Sequence, residues 1–252
     1  MNSDDTRHTL TALYPSLSRQ VHTITDRFSM SNTYLIEDNE RVIVVDPGTE
    51  LNVRQIQSYM PRFLQRSLEQ IDLIVLTHLH IDHTAGVAAL RRLCSAPVAA
   101  AAVIQQLAQA QATAPEHTLS PFLAQFAEHL LPSTLQHFDI FPPAYVQQQR
   151  EVNLWLHDTE GLPGHPNWRI IASPGHTPES LCLYNPFSWE LLCGDTAITI
   201  QGGAPLLRGS TDRQRLELTL RVLRSLSVHY LYPGHGRPIL GEHPLTNVDV
   251  EW

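Results

Sequence analysis

The chain of 252 residues contains no lysine, so all 17 of its basic residues are arginine. This absence excludes Schiff-base catalysis and any lysine nucleophile. Acidic residues number 25, the formal net charge is −8, and no run of basic residues interrupts the acidic composition. Because such a chain has little attraction for polyanions, we expect no nucleic-acid partner.

Cysteine and long apolar runs are also scarce. Three cysteines are too few for a disulfide framework or a zinc ribbon. No stretch approaches the roughly 20 apolar residues that a membrane span requires. Residues 1–20 are polar and carry acidic residues where a signal peptide has a basic start and an apolar run. We therefore expect a cytoplasmic protein with no membrane partner, folded as one domain over residues 1–252.

Short segments rich in β-branched residues alternate with segments of helical periodicity in both halves of the chain. The predicted strands are residues 21–25, 32–37, 41–46, 71–78, 151–157, 168–176, 180–185, 190–195 and 229–235. The predicted helices are residues 51–70, 84–94 and 211–226, while residues 97–103 form a strand or the start of the next helix. A segment of about 105–150, rich in Ala, Gln and Leu and interrupted by proline, predicts an insertion of short helices.

Four potential metal ligands fall within six residues at the end of the predicted strand 71–78, namely His78, His80, Asp82 and His83. A tight loop after a buried strand can turn all four side chains toward one point, while Leu79 and Ile81 pack inward. Imidazole nitrogens and carboxylate oxygens suit Zn²⁺, and Fe or Mn also accepts this ligand set. The spacing therefore predicts a metal site.

Three further segments share one form, an apolar strand that runs into a glycine-containing turn and presents a ligand. The ligands are His176, Asp195 and His235. Seven ligands exceed what one zinc ion uses, so the set predicts two ions that share a carboxylate and a hydroxide, with Asp195 as the best bridge. Cys193 lies two residues before Asp195, a spacing that points to the same face of a strand, so which of the two meets the metal stays open.

Four motifs resemble those of the metallo-β-lactamase superfamily, in the same order and over about residues 20–240. They are THLHIDHTAG at 77–86, SPGHTPES at 173–180, CGD at 193–195 and YPGHG at 232–236. The resemblance implies an α/β (α+β) fold, a four-layered αββα sandwich with two metal ions, expected to be Zn²⁺, at one edge between the sheets.

The resemblance also implies how the ligands are divided. One ion is held by His78, His80 and His176, the other by Asp82, His83 and His235, and Asp195 bridges them. Asp46, in VVDPG, matches an early aspartate of the family that orients a metal-ligand histidine. A plain cap on the turn after its strand is the alternative for Asp46.

A hydroxide held between two zinc ions is a nucleophile at neutral pH, because the metals lower the pKa of bound water from near 16 to about 7. We therefore expect hydrolysis of a small-molecule substrate, with Asp82 and Asp195 as the catalytic carboxylates. Asp195 stands where many true β-lactamases carry Cys or Ser, so the site resembles glyoxalase II, lactonase and thioesterase relatives. This resemblance implies a small acyl substrate, either a thioester or a lactone.

Two details bear on that substrate. Glu179, in HTPES, replaces the commoner glycine and is similar to a subset of the superfamily that includes acyl-thioester hydrolases. Glutathione thioesters are not favoured, since glyoxalase II relatives bind glutathione with basic residues on a C-terminal extension. Here 17 residues follow His235 and none is lysine.

The sequence leaves three alternative functions open. The first is a phosphodiesterase, as in the RNA-processing branch of the superfamily. The second is a mononuclear-iron persulfide dioxygenase, because three ligands are enough for Fe(II). The third is a binding module without activity, which normally lacks some of the ligands.

The remaining histidine and aromatic residues can be explained by ordinary structural roles. We expect ordinary surface or core roles for His117, His129, His137, His157, His165, His229 and His243. Arg208 and the aromatic residues of the 105–150 segment form either a lid over an acyl or aromatic group or mere packing of the insertion. The aromatic residues are Phe122, Phe126, Phe138, Phe141 and Tyr145. The sequence carries no indication of oligomeric state.

Overall fold

The computed structural model describes residues 21–113, 149–199, 205–207, 212–241, 243–246 and 248–250. The first sheet of this part has six strands in the order β1 to β6. They are β1 Val21–Thr25, β2 Asn32–Asp38, β3 Arg41–Val45, β4 Ile71–Val75, β5 Val98–Ala101 and β6 Leu154–Leu156. The first three form an antiparallel meander, and β3 to β6 run parallel.

The second sheet also has six strands, in the order β14-β13-β10-β9-β8-β7. They are β7 Gly161–Leu162, β8 His165–Ala172, β9 Leu181–Asn185, β10 Glu190–Gly194, β13 Tyr230–Pro233 and β14 Ile239–Leu240. A small third sheet pairs β11 Ile198–Thr199, β12 Pro205–Leu207 and β15 Asp249–Val250.

The helices lie outside the two large sheets. They are α1 Glu50–Tyr59, α2 Ile81–Thr84, α3 Val87–Arg91, α4 Val103–Thr113 and α5 Arg213–Arg224. A π-helical turn, Met60–Leu64, continues α1, and 3₁₀ turns occupy Leu68–Gln70 and Gln149–Glu151. No helix in the described ranges is long and apolar enough to cross a membrane.

Three buried apolar clusters separate the layers. One lies between the two sheets, where Val45 and Val75 of the first sheet pack with Trp168 and Leu192 of the second. The other two lie between a sheet and its helices: Ile56 and Leu90 belong to the cluster on the first sheet, and Leu220 to that on the second. The predicted αββα sandwich is therefore confirmed.

The predicted helix over 51–70 was wrong in its second half. Pro61 has no backbone N–H, so it cannot continue the α-helical hydrogen-bond ladder, and the chain forms the π turn there. Gln65 then adopts a φ of 55°, which ends the turn. The strand in 97–103 is β5, and α4 follows it closely.

Most of the predicted insertion lies outside the described residues. Its first part, 105–113, belongs to α4, and its end overlaps the 3₁₀ turn at Gln149–Glu151. The aromatic residues of the lid hypothesis, Arg208, and the histidines at 117, 129 and 137 lie outside the described ranges.

The strands that carry the motifs all end at one edge of the sandwich. β3 and β4 are parallel neighbours in the first sheet, and Asp46 and Thr77 follow their carboxyl ends. β8 and β10 are both antiparallel to β9, and β10 is parallel to β13. The turns that hold His176, Asp195 and His235 therefore meet the end of β4 across the gap between the sheets.

Candidate metal centre

The structure brings all seven predicted ligands together at this edge. Six of them are at most 6% exposed, and the seventh, His235, has a side-chain exposure of 21%. The six are His78, His80, Asp82, His83, His176 and Asp195. His235 therefore marks the open side of the site.

The first group of ligands is centred on Nδ1 of His80. Nε2 of His78 and Nε2 of His176 each lie 3.1 Å from this atom. Nitrogens that share one tetrahedral zinc ion, at about 2.0–2.1 Å each, lie about 3.3 Å apart. Oδ2 of Asp195 is 3.9 Å from Nε2 of His78 and 3.7 Å from Nε2 of His176, which completes a group of four that could hold an ion.

The second group lies on the other side of Asp195. Nε2 of His83 and Nε2 of His235 are 3.3 Å apart, and Oδ2 of Asp82 is 3.5 Å from the former and 3.2 Å from the latter. These three residues could hold an ion. Oδ1 of Asp195 lies 3.5 Å from Nε2 of His83, and its Oδ2 lies 3.3 Å from Nε2 of His235. One carboxylate thus faces both groups.

A short helix, rather than a loop, arranges the first motif. His80 has extended backbone angles and precedes α2, and its carbonyl accepts hydrogen bonds from the backbone N–H groups of His83 and Thr84. Asp82 and His83 therefore turn to one side of α2. The expected inward packing holds for Leu79, which is buried, but was wrong for Ile81, which is 56% exposed because it lies on the outer side of the same turn.

Asp46 connects to both groups through hydrogen bonds. Oδ2 of Asp46 lies 3.0 Å from Nδ1 of His83, and it accepts the hydroxyl of Thr77 at 2.6 Å. Because the hydroxyl of Thr77 donates its hydrogen bond to Asp46, its oxygen is left to accept from Nδ1–H of His78 at 3.1 Å. Both histidines are left with Nε2 directed into the centre. These contacts, and not a cap on its own turn, account for Asp46, whose φ of 51° is unusual for a residue other than glycine.

Two glycines permit the close approach of the strand ends. A side chain on Gly194, which has a φ of 49°, would collide with Thr77. A side chain on Gly234 would collide with Oδ1 of Asp195. Gly194 in CGD and Gly234 in YPGH are therefore required by the packing around Asp195.

Cys193 does not face the centre. The pairing of β10 with β13 shifts register between Leu192 and Gly194, which breaks the alternation of side chains along the strand. The thiol donates to the carbonyl of Ala197 at 3.3 Å and packs in the apolar cluster beneath α5. Burial also raises the pKa of the Cys193 thiol well above its ordinary value, which disfavours the thiolate that a metal requires. The structure therefore directs Asp195, and not Cys193, toward the other candidate ligands.

Burial and mutual charge govern titration within the centre. Burial, reinforced by His83, holds the pKa of His78 well below its ordinary value, so its ring is neutral at pH 7. Burial alone would lower the pKa of His83 and of His235, but the Asp82 and Asp195 carboxylates outweigh it. They raise the pKa of His83 well above its ordinary value and that of His235 to about 10. A metal ion that binds these residues would displace the protons of His83 and His235.

The donor set fits metal ions. Among the described residues, both carboxylate oxygens of Asp82 and Oδ1 of Asp195 are buried and have no hydrogen-bond donor. Buried carboxylate oxygens without a donor are costly, and native proteins rarely leave them so. Their pKa values lie below the ordinary range, since His83 and His235 outweigh the opposing effect of burial, so both residues are anions. A divalent cation would satisfy these atoms and the converging ring nitrogens together.

Comparison with known proteins agrees with this geometry. The profile of the metallo-beta-lactamase superfamily matches residues 26–235. The chain belongs to the metallo-beta-lactamase superfamily.

Within this superfamily the chain is similar to named hydrolases. A hydroxyacylglutathione hydrolase from Idiomarina loihiensis is 26% identical over 235 residues, which cover 92% of this chain and 68% of that protein. A probable metallo-hydrolase from Methanocaldococcus jannaschii is 26% identical over 209 residues, 82% of this chain and 87% of that protein. The crystal structure of TTHA1623 in a di-iron-bound form superimposes with a TM-score of 0.57 at 24% identity, covering 87% of this chain and 94% of that one. The chain is a metal-dependent hydrolase of this superfamily with a site for divalent metal ions.

Some residues around the centre could not be found from the motifs. Ser31 donates to the carbonyl of Asp82 at 3.1 Å and forms a β-bridge with His235. Asn32 donates to the carbonyls of Pro233 and Gly236. Ser31 lies 51 positions before Asp82, and the partners of Asn32 lie 201 and 204 positions after it. No spacing in the sequence indicates these contacts. Thr77 could have been noticed, because it directly precedes the ligand motif at the end of a predicted strand.

Proposed function

We propose that the chain is a dinuclear zinc hydrolase that cleaves a small acyl substrate, either a thioester or a lactone. The observation that carries the proposal is the position of Asp195, whose carboxylate faces two separate groups of three ligands. Seven converging ligands favour two ions over the single iron of a dioxygenase, for which three ligands are enough.

In this proposal the ligands are divided as the two groups suggest. His78, His80 and His176 hold one ion, Asp82, His83 and His235 hold the other, and Asp195 contributes to both. Zinc bound in this way supplies a hydroxide nucleophile at neutral pH and polarises a carbonyl oxygen.

The chain's own residues have separate tasks. Asp46 and Thr77 fix the rings of His78 and His83 so that Nε2 of each faces inward. Asp82 lies near the open side, since its Oδ2 is 3.2 Å from Nε2 of the part-exposed His235. We assign Asp82 the acceptance of the proton that the attacking water loses as it becomes hydroxide, and Asp195 the placement of that water between the two groups.

The choice of an acyl substrate rests on similarity and on charge. The relative from Idiomarina loihiensis is named for an acyl-glutathione substrate, which is a thioester. The chain carries a net charge of −8 without lysine, which weighs against a nucleic-acid phosphodiester. The proposal includes a cytoplasmic location, since the three cysteines, all in the described part, are free thiols as a reducing compartment allows.

A substrate panel tests the proposal. Purified protein is treated with a chelator, reloaded with Zn²⁺, Fe²⁺ or Mn²⁺, and assayed on an acyl-CoA thioester, an acyl-homoserine lactone, a phosphodiester and, with oxygen, a persulfide. We expect turnover of the thioester or the lactone that the chelator abolishes and zinc restores. Turnover of the phosphodiester alone, or consumption of oxygen with a persulfide and iron only, would overturn it.

A further inference from the structure

The ring nitrogen of a metal-bound histidine that faces away from the metal usually donates to a carboxylate or a carbonyl, which fixes the orientation of the ring. In this centre Asp46 serves His83 directly and His78 through Thr77. Both of these rings face the centre with Nε2. His80 differs, because it faces the centre with Nδ1. The nitrogen of His80 that requires an orienting partner is therefore Nε2, and Asp46 is engaged elsewhere.

Glu179 lies next to this segment and is 1% exposed. Its Oε1 accepts a hydrogen bond from the backbone N–H of Leu79 at 3.2 Å. Leu79 separates His78 from His80, so Glu179 is attached to the part of the backbone that sets the spacing of the two ligands. The contact joins residues 100 positions apart, and it connects the end of β4 to the turn that holds His176.

The other buried carboxylates of the described residues have tasks of their own. Asp26 accepts from the backbone N–H of Phe28 and from the hydroxyl of Thr49. Glu190, near the start of β10, accepts from the hydroxyls of Ser188 and Tyr232. Asp82 and Asp195 belong to the centre itself. Glu179 is the buried carboxylate that remains beside His80.

We propose that Glu179 is a positioning residue for the first group of ligands: one oxygen holds Leu79, and the other accepts from Nε2–H of His80. In this arrangement Glu179 selects the tautomer of His80 that leaves Nδ1 free for the metal, as Asp46 does for Nε2 of His83. The carboxylate also makes the ring a stronger donor to a cation. This inference rests on the ligand assignment of the proposed function.

Stepwise metal affinity tests the inference. Glu179→Gln keeps an oxygen for Leu79 but loses the second acceptor, and Glu179→Ala loses both. We expect the affinity of one of the two zinc ions to fall about tenfold in the glutamine variant and up to about 100-fold in the alanine variant, measured by chelator competition. The affinity of the other ion stays within about twofold. The visible spectrum of the cobalt-substituted protein changes for the affected ion only.

Glu190→Gln is the matched control, because it neutralises a second buried glutamate, and Glu190 begins the strand whose far end leads to Asp195. We expect this variant to keep both metal affinities and the cobalt spectrum. Wild-type affinities and spectrum in Glu179→Ala would overturn the inference, and so would an equal loss at both ions or an equal effect of Glu190→Gln. If the wild type binds a single ion, the dinuclear proposal fails, while a fall in that ion's affinity in Glu179→Ala still supports the role of Glu179 and no change refutes it.

Discussion

The two ends of the sandwich each hold a cluster of histidine and carboxylate side chains, yet the clusters are built differently. At the end opposite the metal centre, His165 is 1% exposed, with Nδ1 2.6 Å from Oδ2 of Asp38 and Nε2 3.0 Å from Oδ2 of Asp72. Arg41 adds a contact of 3.2 Å to the same oxygen of Asp72. Each nitrogen of this ring faces its own carboxylate.

At the metal centre, by contrast, ring nitrogens face one another. Nδ1 of His80 meets the Nε2 atoms of His78 and His176, and the carboxylates of Asp82 and Asp195 retain oxygens without a donor. The two clusters therefore share the same residue types and differ in what the ring nitrogens face: other ring nitrogens at the metal centre, and carboxylates around His165. Converging ring nitrogens and carboxylate oxygens suit a bound cation, whereas the contacts around His165 form a hydrogen-bonded network that is complete without one.

The largest expected effect comes from the carboxylate between the two ligand groups. Asp195→Ala should reduce hydrolysis below detection, because both ligand groups lose the carboxylate that faces them. Initial rates on the substrate that the wild type turns over measure the effect. Asp72→Ala, at the other end, is the control and should keep most of the activity. Comparable losses in the two variants would erase the distinction between the clusters.

Removal of the metals should destabilise the protein by several kcal/mol. Each site occupied at a concentration 100 times its Kd contributes about 2.7 kcal/mol to the free energy of unfolding, because the ion binds the folded state alone. Urea denaturation with and without chelator measures the difference. The same increment should be found in a His165→Ala background; a smaller increment there would mean that the second cluster also holds metal.

A smaller and different effect is expected at the opposite end. His165→Ala leaves Asp38 and Asp72 without their buried donor, which should lower the free energy of unfolding by about 1–3 kcal/mol. The loss is moderated because the two carboxylates are partly exposed, with side-chain exposures of 16% and 37%. Metal content by elemental analysis should equal that of the wild type. A loss of one ion would show that the cluster is not purely structural.

The smallest effect is expected at Cys193. Cys193→Ala removes one buried atom from the cluster beneath α5 and should cost about 1 kcal/mol of unfolding free energy. Zinc affinity and turnover should be those of the wild type, since Asp195 and not the thiol faces the ligands. Chelator competition on the variant checks this, and weaker zinc binding would show that Cys193 contributes to the metal centre.

The sequence indicated which seven side chains converge because each motif is local and lies at the end of an apolar strand. His78, His80, Asp82 and His83 fall within one short segment, and the four motifs occur in the superfamily's order. The αββα layering also followed from the resemblance. Several strands of two or three residues, including β7 and β12, were not predicted, because their stability comes from pairing with distant segments rather than from local pattern.

Other features depend on geometry that local pattern does not encode. The register shift at Gly194 turns Asp195, and not Cys193, toward the other candidate ligands, although their spacing on a regular strand predicts the same face. The sequence shows Pro61, but the helical spacing of apolar residues continues on both sides of it, so the break at Pro61 was not predicted. The contact of Ser31 with Asp82 exists only because the sheets bring distant loops together. The structure also placed Glu179, which the sequence had marked only as an unusual residue, against the backbone of Leu79.

Metal content, measured side by side in freshly purified wild type and Asp195→Ala, tests the bridged centre most directly. Elemental analysis should find about two ions per wild-type chain and one or fewer per chain of the variant, both proteins remaining folded by circular dichroism. Equal metal content in the two proteins, or a wild type that carries one ion or none after reloading, would contradict a centre in which Asp195 joins two metal ions.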